Sequence, residues 1–194
     1  MKKIIILITS MLLFACCNTS YEREIMEQAE SMIYSSPNSA EKLLKKVSFT
    51  KLESEKNKAY YALLKSVITY RLYEKQSLKN INYALSYYKK HKDKHHLQMA
   101  YFYHGAINLE NNENIIRSMR DFKESELLIK HTDNQILESY IYNGLIKIFF
   151  LHNANLLGLD YSNKSIDLAK KMNDKETLSG AFGNKAIFYE RCGK

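Results

Sequence analysis

The sequence predicts an all-α protein, a right-handed superhelical solenoid of antiparallel helix hairpins preceded by a signal peptide. Three observations predict this fold class. Six glycines and one proline in 194 residues favour helices over a turn-rich β architecture. A segment of similar texture recurs four times along the chain, and a second amphipathic stretch follows each of the first three.

Residues 1–15 have the layout of a secretory signal peptide. Lys2 and Lys3 form a basic start, an apolar run extends from Ile4 to Phe14, and Ala15 precedes a cysteine. The apolar run is shorter than the roughly 20 residues that a membrane-spanning helix needs. We therefore expect the segment to be cleaved rather than kept as an anchor.

The end of this segment, Leu13-Phe14-Ala15-Cys16, resembles a bacterial lipobox. The resemblance implies that Cys16 is diacylated and becomes the mature N-terminus, with residues 16–23 as a tether. Acyl chains retain a protein at a membrane because each buried methylene contributes about 0.8 kcal/mol. We therefore expect a lipid-anchored protein of the bacterial cell envelope, at the outer membrane, with its domain in the periplasm or at the cell surface. The alternative is an ordinary signal with a chance cysteine.

The other two cysteines, Cys17 and Cys192, stand near opposite ends of the chain. Once Cys16 is acylated they cannot build a disulfide framework, and a C-x-x-C motif is absent. We interpret both as bystanders.

The recurring segments read "KAYYALLKSVI" (58–68), "MAYFYHGAINL" (99–109), "ESYIYNGLIKI" (138–148) and "GAFGNKAIFYE" (180–190). Each has a small residue followed by an aromatic one, and the small residue stands at positions 59, 100, 139 and 181. Five positions later come Leu64, Gly105, Gly144 and Ala186. Because glycine weakens a helix interior, its recurrence predicts that a neighbouring helix passes too close for a side chain.

A second amphipathic stretch follows each of the first three segments, with Ala84, Ser125 and Ser165 at matching positions. Polar turns rich in Asn, Asp and Lys separate the stretches. Upstream, Ser36 before Pro37 predicts a helix stop, with Asn38 or Ser39 as the next N-cap. The predicted hairpins cover about 24–48, 54–91, 95–131 and 135–172, and an incomplete last unit covers 176–194.

These hairpins resemble tetratricopeptide repeats. Tyr101, Gly105, Ser118, Phe122 and Ser125 match one unit if a one-residue insertion is allowed. The unit is longer than the usual repeat and lacks its signature Trp and terminal Pro, as in the divergent repeats of bacterial envelope lipoproteins. The resemblance covers residues 24 to 194.

The resemblance implies that the first helices line a concave groove for a protein or peptide partner. Within "AYFYHGAI" (100–107), Tyr101 and Gly105 recur as packing positions, which leaves Phe102 as the candidate that faces the groove. The alternative for every groove position is packing against the neighbouring repeat. The implied groove positions are Lys58, Tyr61, Lys65, Ile68, Met99, Phe102, Ala106, Leu109, Glu138, Ile141, Leu145 and Ile148.

No catalytic or cofactor motif occurs in the sequence, so we expect neither an enzyme nor a bound cofactor. His91 and His95 have the i, i+4 spacing of metal ligands, but the lysines around them disfavour a cation. His104 and His152 are isolated, and we expect them to be satisfied by a backbone or tyrosine group. The basic run "KKHKDKHH" (89–96) reads as a solvated turn, and we expect no nucleic-acid partner.

The last segment matches the first helix of a fourth unit as far as Gly193. Ile187 and Phe188 look uncapped, because a terminal repeat normally has a polar outer face. We therefore expect a truncated open reading frame or the N-terminal part of a longer array. The sequence favours a lipid-anchored scaffold that recruits a protein or peptide at the envelope. The alternative is the N-terminal sensory ectodomain of a longer membrane-associated signalling or transcriptional regulator, and a glycan-binding lipoprotein is a weaker third hypothesis.

Overall fold

The computed structural model describes residues 21–111 and 114–193. Of these residues 81% are helical and none is in a strand, which confirms the all-α prediction. No helix among the described residues has the length and apolarity needed to cross a bilayer. The predicted signal peptide, Cys16, Cys17 and the tether as far as residue 20 lie outside the described residues.

The chain divides into two compact units, with the boundary between His91 and Lys92. Within the first unit α2 packs on α3 and α3 on α4. A short 3-10 turn, Phe49–Lys51, precedes α3. Its helices are α1 (21–32), α2 (Pro37–Leu44), α3 (Glu55–Arg71) and α4 (Leu78–His91).

Tyr60 connects α3 to α1 in the first unit. Its side chain is fully buried, and its hydroxyl donates a hydrogen bond to the Glu30 carboxylate. The guanidinium carbon of Arg23 lies 4.4 Å from the centroid of the same ring. A buried hydroxyl needs such a partner, and burial raises the pKa of Tyr60.

Pro37 begins a helix, which corrects the prediction that Asn38 or Ser39 would be the N-cap. Ser36 is the N-cap residue of α2 and Pro37 occupies its first turn. Proline fits this position because the N–H it lacks would have no partner inside the helix. The Ser36 hydroxyl donates to the Ser39 hydroxyl at 2.8 Å, and its oxygen accepts no capping hydrogen bond from the backbone N–H groups of the first turn.

The second unit contains five helices among its described residues, and each packs on the next in chain order. Helices α5 and α6 occupy the predicted hairpin 95–131, and α7 and α8 occupy 135–172. A 3-10 turn, Ile129–His131, follows α6. The helices are α5 (Lys94–Glu110), α6 (Ile115–Leu127), α7 (Gln135–Leu151), α8 (Asn155–Met172) and α9 (Lys175–Arg191).

The connections that lead into α5, α7 and α9 share one design. A residue with positive φ, namely Lys92, Asp133 or Asn173, is followed directly by a capping Asp or Asn. The side chains of Asp93, Asn134 and Asp174 accept hydrogen bonds from first-turn N–H groups of the following helix. Such caps satisfy donors that have no partner within the helix.

The recurring glycines mark close helix contacts, as predicted. A Cβ on Gly105 would lie 3.0 Å from the Ser118 carbonyl oxygen and 3.1 Å from the ring of Phe122. A Cβ on Gly144 would lie 2.8 Å from the other edge of the same ring. Phe122 of α6 is therefore seated between α5 and α7.

Helix α9 packs on α8, and its residues Ala181 and Phe188 are buried. The Phe188 ring occupies the space beside Gly158 of α8. The expectation that Phe188 is uncapped is therefore wrong, because α8 covers it, whereas Ile187 is exposed.

Candidate partner-binding groove

A groove of about 380 Å³ lies between α7 and α9. The α7 side is formed by Asn143, Ile146, Lys147 and Phe150. Their i, i+3, i+4, i+7 spacing places them on one face of the helix. Ile146 is buried, while the other three are exposed.

The α9 side of the groove is formed by Asn184, Ile187 and Phe188. Phe188 is buried and meets Phe150 edge to face, with the ring centroids 6.4 Å apart. Ile146 and Phe188 thus supply a buried apolar floor, and the exposed Ile187 supplies an apolar rim.

Arg191 fixes the position of Phe150 at the groove. Its guanidinium carbon lies 3.7 Å from the Phe150 ring centroid. Its Nη1 donates hydrogen bonds to the Phe150 carbonyl at 2.9 Å and to Asn153 Oδ1 at 3.2 Å. This cation–π contact and these hydrogen bonds connect the end of α9 to the end of α7.

The charge of the groove is positive. Lys147 is the one charged side chain among its lining residues, which include no carboxylate. Asn143 and Asn184 add amide groups that can donate or accept hydrogen bonds. Apolar anchors beside a cation and amides suit the binding of an amphipathic segment.

Most of the predicted groove positions are core residues. Phe102 is 4% exposed, with ring centroids 5.5 Å from Phe122 and 6.1 Å from Tyr140. Burial corrects the expectation that Phe102 faces an open groove, because the side chain is covered by its own chain. The other buried positions are Ile68, Met99, Ala106, Leu109, Ile141, Leu145 and Ile148.

Four predicted groove positions are half-buried. Lys58 pairs with Glu55 at 3.2 Å, and the Tyr61 ring lies 5.6 Å from that of Phe49. Glu138 accepts a hydrogen bond from the Tyr142 hydroxyl at 2.7 Å. Lys65 is the fourth, and a role in partner binding stays a prediction for all four.

The sequence pattern does not single out Asn143, Lys147 and Phe150 as groove residues. Helix α7 is apolar on several faces, with seven buried residues, so periodicity could not show which face stays open. Ile187 does carry a signal in the sequence, because it is an apolar residue of the last segment without a predicted partner.

A buried polar cluster lies between α5 and α6. His104 Nδ1 is 2.5 Å from Asp121 Oδ2, and the two residues are 4% and 1% exposed. Arg117 Nε donates to the same oxygen at 3.3 Å, and Asn108 Nδ2 donates to the His104 carbonyl at 2.9 Å. The partner of His104 is thus a carboxylate rather than the expected backbone or tyrosine group, and no substrate can reach this pair without opening the helices.

A second cluster surrounds Tyr161 of α8. Its hydroxyl donates to Glu126 at 2.8 Å and accepts from Lys123 Nζ at 2.6 Å. Lys164 Nζ lies 4.0 Å from the ring centroid. Burial raises the pKa of Tyr161, so the hydroxyl stays protonated and holds α6 against α8.

Of the remaining histidines, His91 at the end of α4 stacks on the Tyr87 ring with centroids 3.9 Å apart. His152 is exposed at the end of α7.

The described part of the second unit is thus all-helical, with a cleft lined by apolar side chains, two asparagines and one lysine. A scan against protein-family models and a search of curated proteins each found no match for this chain.

Proposed function

We propose that this protein is a non-enzymatic, lipid-anchored scaffold that binds a protein or peptide partner at the bacterial cell envelope. Its hairpins would form a right-handed solenoid of tetratricopeptide type, with the domain in the periplasm or at the cell surface and Cys16 acylated at the outer membrane. The observation that carries the binding role is the groove between α7 and α9.

The chemistry of the groove defines the partner. Ile146, Ile187 and Phe188 offer apolar surface, and Lys147 offers a cation with no carboxylate among the lining residues. An amphipathic helix with aliphatic side chains on one face and an acidic residue beside them would complement this surface. Such helices dock by i, i+3, i+4 and i+7 anchors, which is also the spacing of the α7 side.

Photocrosslinking tests whether the groove is occupied in cells. A photoreactive phenylalanine analogue replaces Ile187, and in a matched control it replaces Leu127, an exposed residue of α6 outside the groove. We expect an adduct at position 187 that is absent at position 127, with mass spectrometry identifying the bound segment. Equal adducts at both positions, or none at position 187, would refute the proposal that the groove binds the partner.

A titration then tests the chemistry. A synthetic peptide of the crosslinked segment is titrated into the wild type, Lys147→Glu and the control Lys171→Glu, whose lysine is exposed on α8. We expect Lys147→Glu to weaken binding about tenfold, equivalent to about 1.4 kcal/mol, and Lys171→Glu to leave it unchanged. A peptide without carboxylates, or equal losses in both variants, would contradict the assigned partner chemistry.

A further inference from the structure

Three leucines are exposed where α7 meets α8. Leu151, Leu156 and Leu157 are 52%, 73% and 52% exposed. Single exposed leucines are normal on protein surfaces, but here three stand within one helix connection. We call residues 151–157 the α7–α8 tip. None of the three leucines lines the groove between α7 and α9.

The sequence around the tip carries little negative charge, and the first carboxylate after it, Asp160, pairs with Lys164 at 3.1 Å. Residues 139–159 contain no carboxylate, and Lys147 is the one Lys or Arg among them. Arg191 of α9 adds a second cation, because it donates to Asn153 Oδ1 at 3.2 Å within the tip. The tip therefore combines exposed leucines with adjacent positive charge.

Helix α8 contributes to the same charge. It is 18 residues long and begins at Asn155 without a side-chain cap. The N-terminus of such a helix has a partial positive charge, which favours anions within the first turn.

We propose that the α7–α8 tip docks on an anionic lipid surface, with its leucines in the headgroup region and its cations at the phosphates. Binding at membrane interfaces grows with the buried apolar area and with attraction to anionic lipids, and the tip supplies both. A fluid lipid surface needs no shape complementarity, so it suits leucines that project outside any groove. This docking goes beyond the proposed scaffold role, because it requires neither acylation of Cys16 nor an occupied groove.

The chain contains no tryptophan, so a single introduced tryptophan reports on its own position. The experiment uses the full chain with Cys16→Ser, which removes the proposed acyl acceptor. Leu157→Trp places the reporter in the tip. In the matched control, Leu127→Trp places it at a leucine that is 65% exposed on α6. Circular dichroism confirms that both variants are helical.

Emission spectra are recorded with vesicles of equal parts phosphatidylglycerol and phosphatidylcholine, and with vesicles of phosphatidylcholine alone. We expect a blue shift for Leu157→Trp on the anionic vesicles, quenching by brominated lipid, and no shift for Leu127→Trp. The shift should decrease in about 1 M salt, where the Debye length falls to about 3 Å. Adding Leu156→Gln should reduce it further.

Two results would overturn the proposal. Identical spectra of Leu157→Trp with and without vesicles would show that the tip does not enter the interface, even if the N-terminal segment brings the chain to the membrane. A blue shift that grows with protein concentration in the absence of vesicles would assign the tip to a second copy of the chain.

Discussion

At the scale of single residues, one aromatic ring determines how three helices of the second unit fit together. Phe122 lies between Gly105 and Gly144. A Cβ at either glycine would lie closer to its ring than ordinary van der Waals contact allows. Well-packed interiors have no room for an added methyl group unless a neighbour shifts. The two glycines are therefore required by packing.

Gly144→Ala tests this requirement. We expect the free energy of unfolding to fall by about 1–3 kcal/mol, because the new Cβ would lie 2.8 Å from the Phe122 ring and overpacking costs this much. In the control, Gly183→Ala, a Cβ meets nothing within 4 Å, and the helix should gain about 0.5–1 kcal/mol. Urea denaturation of both variants gives the comparison, and equal effects at the two glycines would contradict it.

The buried pair of His104 and Asp121 allows a second prediction. Asp121→Ala should lower the free energy of unfolding by about 1–3 kcal/mol, because it removes the carboxylate partner of a buried imidazole. The control is Asp160→Ala, which removes an exposed pair with Lys164 at 3.1 Å, and such pairs contribute about 0–1 kcal/mol. A loss below 1 kcal/mol for Asp121→Ala in chemical denaturation would count against this role.

Some of these residue contacts could be predicted from the sequence. The recurrence of Gly105 and Gly144 predicted a close approach of helices, because glycine destabilises a helix interior and is expected there where a neighbouring helix leaves no room for a side chain. The place of Phe102 could not be predicted, since a helical period shows which residues share a face but not which neighbour covers it. His104 was expected to have a partner, but a carboxylate 17 positions away gives no local signal.

At the scale of elements, α7 and α9 show how equivalent positions acquire different roles. In α7 the positions Leu137, Ile141, Leu145 and Ile148 are buried. The positions 42 residues later in α9 are Ser179, Gly183, Ile187 and Glu190, and all four are exposed. Helix α9 therefore depends on one packed face, whereas α7 is covered on several.

Amide hydrogen exchange should show this difference. We expect the central amides of α7 to exchange more slowly than those of α9, because local opening is easiest where few apolar contacts must break. Mass spectrometry of peptides covering 135–151 and 175–191 gives the comparison. Slower exchange in α9 would mean that its exposed face is covered in solution, and dilution would then test for self-association.

The all-α class could be predicted because the signals for helices are local. Asp and Asn residues in the connections are the observed caps of α5, α7 and α9. The start of α2 differs from the prediction because a proline after serine indicates a helix stop but also fits the first helical turn. The groove could not be predicted, because it forms between two helices separated by a third.

At the scale of the whole molecule, the proposed function requires a membrane anchor and a partner-binding groove, which lie far apart in the chain. The groove and the tip belong to the second unit, whereas the proposed anchor, Cys16, lies outside the described residues. A protein that binds its partner at the envelope needs both a stable attachment and an exposed binding surface. The tip alone would give only weak, reversible contact, since a few leucines bury little area.

The anchor is tested by two neighbouring cysteines. We expect an alkyne fatty acid fed to cells to label the wild type and Cys17→Ser but not Cys16→Ser, because only Cys16 follows the apolar and small residues of the lipobox-like segment. Cys16→Ser should also move from the membrane fraction toward the soluble fraction, because the loss of two acyl chains removes most of the membrane affinity. Labelling of Cys16→Ser equal to the wild type would refute the anchor. In another outcome, Cys16→Ser is unlabelled but stays at the membrane, and it leaves the membrane only when Leu156 and Leu157 are replaced by Gln. This result would instead show that the tip retains the protein at the membrane.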